Sequence, residues 1–277
     1  MKKPLVIFSA LEDVLIDTRM LQWDEARHAL NQLYLTGVPL VLWSRWTFSE
    51  VIYFRGQMGI TDPFVVENGG ALYVPLGYFD FDIGSGQRNG HEVIEIGIRT
   101  EKLKHFLVGF RERWKLPMKL ADELSLQELA ALSHVPFHLT GFLRNLEFSV
   151  AFRMEPYANR GWENELRRTA AQKGFRLRKD QLFYYLEGEN DKHFIGKKLI
   201  TFFEKYFGER PKIAAIGVDE ADFQFLENVH QAVLLKHKPM VQNDLNLNKL
   251  SPTVIENTGP EAWQRIMEIL EIESEEK

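Results

Sequence analysis

Three runs of strand length, LVIFS (5–9), VPLVLWS (38–44) and KIAAIGV (212–218), are apolar almost without interruption. A strand with one wet face alternates apolar and polar side chains. Unbroken apolar runs therefore call for a sheet covered on both faces, the usual condition of a parallel sheet. Between the first two runs, WDEARHALNQLYLTG sets Trp23, Ala26, Ala29, Leu30 and Leu33 at helical spacing, with Gly37 as its C-cap. TFSEVIYFRGQMG follows as a second helix with Thr47 as N-cap. PFVVENGGALYVP then reads as two short strands around an Asn-Gly-Gly turn. Strand, helix, strand, helix, strand is the grammar of an α/β domain.

The last third repeats it. A helix is expected over DKHFIGKKLITFFEKYFG, a strand at KIAAIGV, a short helix at EADFQFLENV, a strand at QAVLLK and a closing helix at GPEAWQRIMEILEI, with ESEEK as a solvated end. The middle is different. FDIGSGQRNGHE reads as a polar linker, followed by VIEIGI, a helix around EKLKHFLVGFRERW and a polar helix around SLQELAAL. A strand LEFSVAF, a helix ENELRRTAAQKG and the hairpin-like pair FRLRKD and LFYYLEG complete it. The expected organisation is one α/β domain made of 1–83 and 189–277, with an α+β unit of 84–188 inserted in it.

Composition narrows the function classes. The 277 residues carry a net charge of −5, so no basic excess points to nucleic acid or to a membrane surface. The absence of cysteine excludes disulfides, thiol catalysis and thiolate metal sites. No stretch approaches a transmembrane length, and the apolar run after MKKP meets Glu12 and Asp13 too early for a signal peptide. A soluble, cytoplasmic protein is the expectation. The eight histidines show no metal-ligand spacing, there is no G-x-S-x-G elbow, and GSGQRNG lacks the Lys-Ser/Thr of a phosphate loop. The basic run RLRKD is a solvated face by default and a pocket wall for an anionic ligand in the sharper reading.

In a doubly wound sheet the C-terminal strand ends converge on one crevice. They would deliver Ala10, Glu12 and Asp13 from the first strand and Ser44 from the second. KIAAIGV would add Val218, Asp219, Glu220 and Asp222, with Lys192 at the start of the neighbouring helix. A hydroxyl, a lysine and several carboxylates on one rim suit phosphate chemistry, and suit an ordinary polar rim equally well.

With these residues in view the sequence resembles the haloacid dehalogenase superfamily. The likeness is to its capped IIB branch, and within that to the mannosyl-3-phosphoglycerate phosphatases. Glu67, Asn68, Gly69 and Gly70 match the family's Glu-Asn-Gly-Gly turn, Ser44 its motif-two hydroxyl and Lys192 its motif-three lysine. VIFSALEDVLID and IGVDEADFQFL lie over the first and fourth motifs. The resemblance implies a Rossmannoid parallel-sheet core with an inserted α+β cap of the C2B type. It also implies phosphate contacts from Ser44 and Lys192, a substrate pocket at Asn68, Gly69 and Gly70, and a magnesium-dependent aspartyl phosphatase. Two motifs depart from it. The family's Asp-x-Asp-Gly-Thr is Ala10, Leu11, Glu12, Asp13 and Val14 here, so the nucleophile position is alanine and the acid/base position glutamate. In the fourth motif the metal-binding Asp is Val218, leaving Asp219 and Asp222 as remnant carboxylates. His193 replaces a glycine, and Leu146 and Val150 replace the Arg and second Glu of the cap segment Arg-Glu-Tyr-Ser-Glu. The leading expectation is a metal-free pseudophosphatase that binds a phosphorylated sugar or other small anion, or regulates a protein partner. The alternatives are an active enzyme acting on a glycosyl phosphate, with magnesium and with Asp13 or Asp219 standing in for lost carboxylates, and a purely structural protein.

Overall fold

The structure is a computed structural model. It describes residues 3–133, 137–155, 161–180, 182–188, 192–219, 222–223, 229–236 and 251–272, without the side chains of Ser133, Phe137, His138 and Lys192. The core strands in chain order begin with β1 (Leu5–Ala10), β2 (Leu40–Trp43), β3 (Phe64–Val66), β4 (Ala71–Pro75), β5 (Gly86–Arg88) and β6 (His91–Glu95). Next come β7 (Met118–Leu120), β8 (Ser149–Met154), β9 (Phe175–Lys179) and β10 (Tyr184–Gly188), then β11 (Lys212–Gly217), β12 (Gln231–Leu235) and β13 (Thr253–Ile255). The helices are α1 (Arg27–Thr36), α2 (Phe48–Met58), α3 (Thr100–Trp114), α4 (Leu126–Ser133), α5 (Phe137–Thr140), α6 (Trp162–Ala171), α7 (Lys192–Phe207) and α8 (Trp263–Ile269). None of them is long and apolar enough to cross a membrane. The short helix expected over 220–229 falls largely outside the described residues, as does the ESEEK end.

The large sheet runs β13-β12-β11-β1-β2-β3-β4-β6-β5. From β13 to β3 every pairing is parallel, and β4, β6 and β5 are added antiparallel at one edge. The unbroken apolar runs have a simple cause. Ile7, Leu40 and Leu42 point into a core completed by α1, α2 and α8, whereas Val6, Phe8, Val41 and Trp43 point into a second core completed by α7. Thr47 caps α2 through a reciprocal capping box with Glu50, and Gly37 ends α1 in the left-handed region at φ 64°.

The linker expected at 84–90 is a hairpin of the large sheet. β5 and β6 turn at Asn89 and Gly90, with φ of 51° and 75°, and β6 pairs with β4 from Ala71↔Glu95 to Pro75↔His91. The core sheet therefore continues to Glu95, and the expected boundary at residue 84 moves past it. The second sheet, β7-β8-β10-β9, is antiparallel throughout. On one face it packs α3 through Leu103, Leu107 and Phe110, and α6 through Leu166 and Ala170. This is the inserted α+β layer, the cap.

Core and cap meet at the Glu-Asn-Gly-Gly turn between β3 and β4. Glu67, Asn68 and Gly69 all have positive φ, at 46°, 56° and 89°. Glu67 is 2% exposed and accepts three hydrogen bonds from the first residues of the cap strand β8 and its approach. These come from Glu147 N (2.8 Å), Phe148 N (3.0 Å) and Ser149 Oγ (2.8 Å). The Phe148 ring lies on bare backbone, since a Cβ built on Gly70 or on Gly97 would come within 2.7 Å of it. Asn68 Nδ2 reaches Glu187 Oε2 in β10 at 3.4 Å. Of the residues expected in a substrate pocket, Asn68 and Gly70 thus also join the cap to the core.

Two outcomes follow from this junction. Gly70→Ala would force the Phe148 ring or the turn to shift, and should cost about 1–3 kcal/mol in urea unfolding. Burial raises the Glu67 carboxyl from 4.5 to about 7, against the lowering effect of the hydrogen bonds it accepts. The folded state therefore holds this proton more tightly between pH 4.5 and 7. The contribution of Glu67 to stability is full in acid and is lost as the pH rises through 7. Glu67→Gln should turn an NH2 toward cap donors, cost about 1–3 kcal/mol and flatten the decline in stability between pH 5 and pH 8. The decline should not vanish, because burial raises Glu50 to about 7 with the same sign.

Candidate functional site

The register brings the expected rim together. Ala10 sits opposite Trp43, and Ser9 opposite Ile216, so the ends of β1, β2 and β11 lie side by side. The loop after β1 is tight. Leu15 N and Ile16 N both donate to Leu11 O, and Asp13 N donates to Ile16 O at 2.8 Å. Leu11, Val14, Leu15 and Ile16 are fully buried beneath it. Asp13 adopts φ 59°, the left-handed conformation that glycine takes most readily, and glycine is what the family pattern has there. The C-terminal segment braces the same loop: Gly259 N donates to Asp13 O at 2.8 Å and Trp263 Nε1 to Val14 O at 3.1 Å.

Glu12, 3% exposed, directs Oε1 at β2, where it accepts from Ser44 Oγ at 2.9 Å and Arg45 N at 2.8 Å. Ser44 Oγ in turn accepts from Trp46 N at 2.9 Å. A hydroxyl has one proton. That of Ser44 is directed at Glu12. Asp13 Oδ1 accepts from the Thr18 hydroxyl, which turns that carboxylate toward the following loop. The backbone of Lys192 opens α7 as expected, while its side chain is outside the described residues.

On β11 the remnant carboxylates serve the loop. Asp222 Oδ2 accepts from Val218 N (2.8 Å) and Asp219 N (3.2 Å), and Asp219 Oδ1 accepts from Asp222 N (3.2 Å). Gly217 is required by this packing, because a Cβ there would lie 2.4 Å from Asp222 Cβ. Burial, reinforced by the Asp219 charge, raises the Asp222 carboxyl well above the usual carboxylate range.

Magnesium needs several hard oxygen ligands near octahedral geometry. The two family ligand positions offer a methyl group at Ala10 and an isopropyl group at Val218, and Asp222 Oδ2 already serves two amides. Among the described residues no three His, Cys, Asp or Glu side chains gather where they could hold a metal ion. This donor set does not fit the ion.

Between core and cap lies a cavity of about 260 Å³, whose lining includes Arg45, the neighbour of Ser44, but none of Ala10, Glu12, Asp13, Ser44, Val218, Asp219 and Asp222. Thr18, Arg45, Trp46 and Glu50 line it from the core, and Arg178 and Tyr185 are among its cap walls. Arg178 belongs to the RLRKD run, so the sharper of the two readings of that run is the one that places it. Arg45 was missed. Its one signal in the sequence is its position directly after Ser44. Its charge is favoured first by Glu12 and then by Asp222, Asp13 and Asp219, against the opposing effect of burial.

No protein-family model matches the chain. It is 28% identical over 262 residues to the glucosyl-3-phosphoglycerate/mannosyl-3-phosphoglycerate phosphatase of Persephonella marina, spanning 94% of both chains. It is 29% identical over 218 residues to the mannosyl-3-phosphoglycerate phosphatase of Pyrococcus horikoshii, spanning 78% of this chain and 86% of that one. Among solved structures, the haloalkanoate-superfamily phosphatase BT1666 of Bacteroides thetaiotaomicron overlays with a TM-score of 0.62 at 13% identity. That overlay covers 98% of this chain and 96% of BT1666. The chain thus has a haloacid dehalogenase-like fold and is similar, over 94% and 78% of its length, to phosphatases named for glucosyl- and mannosyl-3-phosphoglycerate.

Proposed function

We propose that this protein binds a glycosyl phosphate, or a kindred anionic sugar, in the cavity between core and cap and does not turn it over through an aspartyl-phosphate intermediate. The observation that carries the reading is Ala10. Aspartyl phosphatases need a carboxylate oxygen that attacks phosphorus and then leaves on hydrolysis of the acyl phosphate. A methyl group at the end of β1 has no lone pair to offer. The neighbouring carboxylates are held for other work: Glu12 by Ser44 and Arg45 N, Asp13 by Thr18, Asp222 by two amides. A nucleophile displaced by even one residue loses the alignment that in-line attack requires.

A second reading, a working magnesium-dependent phosphatase on mannosyl-3-phosphoglycerate or a related glycosyl phosphate, is favoured by the relatives, which carry that activity in their names. It also gains from Glu12, which keeps a buried carboxyl at the acid/base position. In that reading Asp13 or Asp219 takes over the missing roles.

The two readings separate in one assay. Phosphate release from mannosyl-3-phosphoglycerate and glucosyl-3-phosphoglycerate would be followed with magnesium and with chelator, beside calorimetric titration of the same compounds. Binding without release is the expected result. Deleting a covalent nucleophile has cost on the order of 10⁶ in turnover in a serine protease. The double variant Ala10→Asp, Val218→Asp should gain magnesium-dependent release if the scaffold is otherwise intact. Magnesium-dependent release by the native protein would overturn the first reading in favour of the second.

A further inference from the structure

The cavity carries two guanidinium groups, one from each layer, that the motif positions do not account for. Arg45 stands at the core wall and Arg178 at the cap wall. Among the described residues no carboxylate oxygen lies within 4.0 Å of the Arg45 guanidinium, and its side chain donates no hydrogen bond; the acids around it act only at longer range. Its fork of five N–H groups is therefore available. Arg178 lies over the Tyr185 ring with its guanidinium carbon 3.9 Å from the ring centre. Its Nε is buried without a hydrogen-bond partner, 3.7 Å from Glu187 Oε2. A buried donor left unpaired in a native fold asks for an explanation, and an acceptor on a ligand is one.

The acids that line the cavity are engaged with their own elements, while Glu187, outside the lining, shares its carboxylate between Arg176 and Arg178 and so offsets part of the Arg178 charge. Glu50 Oε2 accepts from Thr47 N and Thr47 Oγ1, both at 2.8 Å, and burial raises its carboxyl to about 7. Asp180 Oδ1 accepts from Leu182 N and Phe183 N, both at 2.7 Å, closing the turn between β9 and β10. What remains for a ligand is two arginines. Their planar forks suit the oxygens of a phosphoryl or carboxylate group better than an ammonium does.

We propose that the anionic group of the ligand is gripped directly by Arg45 and Arg178 from the two layers, without a divalent cation, Arg45 supplying the positive charge that the unfitted metal site does not. This rests on the ligand-binding reading above and adds to it the recognition chemistry and the residues responsible. Arg45 does not touch a reacting atom in this scheme. It is a specificity-determining residue, and so is Arg178.

The test is titration calorimetry in chelator with 3-phosphoglycerate and inorganic phosphate as probes and neutral mannose as control. The native protein, Arg45→Gln, Arg45→Lys and Arg178→Lys would be compared. The native protein should bind 3-phosphoglycerate without metal, more weakly as salt rises. Arg45→Gln should weaken it at least tenfold, about 1.4 kcal/mol. Lysine at either position should recover part of that loss, since it keeps the charge but not the fork. Because Arg45→Gln removes the charge that Glu12, Asp13, Asp219 and Asp222 favour, melting temperatures would be measured alongside, and Arg45→Lys, which keeps that charge, separates loss of the fork from loss of stability. Binding that requires magnesium, or that Arg45→Gln leaves unchanged, would overturn the arginine grip and leave the ligand-binding reading standing. No binding of these probes or of either glycosyl phosphoglycerate would overturn both.

Discussion

A single carboxylate at the junction of the two layers sets the geometry of everything above the sheet. Glu67 is raised on a turn of three successive positive-φ residues, a conformation with a cost for Glu and Asn that the surroundings must offset. They do so through three donors from consecutive cap residues, Glu147, Phe148 and Ser149. The same three residues make the rest of the joint. Glu147 also binds Arg88 from the β5 edge at 2.6 Å and Arg99 at 2.7 Å, and Phe148 is seated against Gly70 and Gly97 beneath the Arg99 guanidinium. Loss of that carboxylate would leave the amides of Glu147 and Phe148 unpaired in the joint between the two layers.

This joint explains which parts of the family pattern persist in the chain. Of the cap segment that resembles Arg-Glu-Tyr-Ser-Glu, the middle three positions are Glu147, Phe148 and Ser149, the residues that bind the turn. The flanking positions, Leu146 and Val150, have lost their charges. One lines the cavity and the other packs in the cap core. The same division holds on the core side. Gly217 and Asp222 persist and shape a loop; Val218 between them has lost its oxygen. After β1, the left-handed turn survives even though Asp13 has replaced glycine, because Gly259 and Trp263 hold the loop from outside. The division is not complete, since Ser44 and Lys192, which match chemical positions of the pattern, are present as well; it holds for Ala10, Val218, Leu146 and Val150.

The sequence made the layered core legible because its signals there are local: apolar runs long enough for strands, the Thr47–Glu50 box, the glycine after α1. It failed where pairing partners decide. Residues 84–90 look polar and glycine-rich, yet Asn89-Gly90 is a tight hairpin turn, and the strand before it, Gly86–Arg88, has no apolar run to announce it. β7 and β13, three residues each, owe their existence to the strands beside them. The rim residues Ala10, Glu12 and Ser44 were legible from strand ends alone. Their roles were not, since the direction of the Ser44 hydroxyl depends on Glu12 and Trp46 across the loop. The contact of Gly70 with the Phe148 ring was not legible either, because nothing local announces a partner some eighty positions on.

Arg45 places a positive charge among the carboxylates of the rim. Glu12, Asp13, Asp219 and Asp222 all favour its charge, so the site still joins a cluster of acids to a positive centre. The difference lies in what the centre can do. A metal ion accepts lone pairs from protein and ligand together and draws them close; a guanidinium only donates hydrogen bonds. Its backbone N–H holds Glu12 while its side chain is left to the ligand. One residue thus ties the acid/base position to the wall of the cavity, and an anion bound there would meet hydrogen-bond donors where a phosphatase would present it to a metal and a nucleophile.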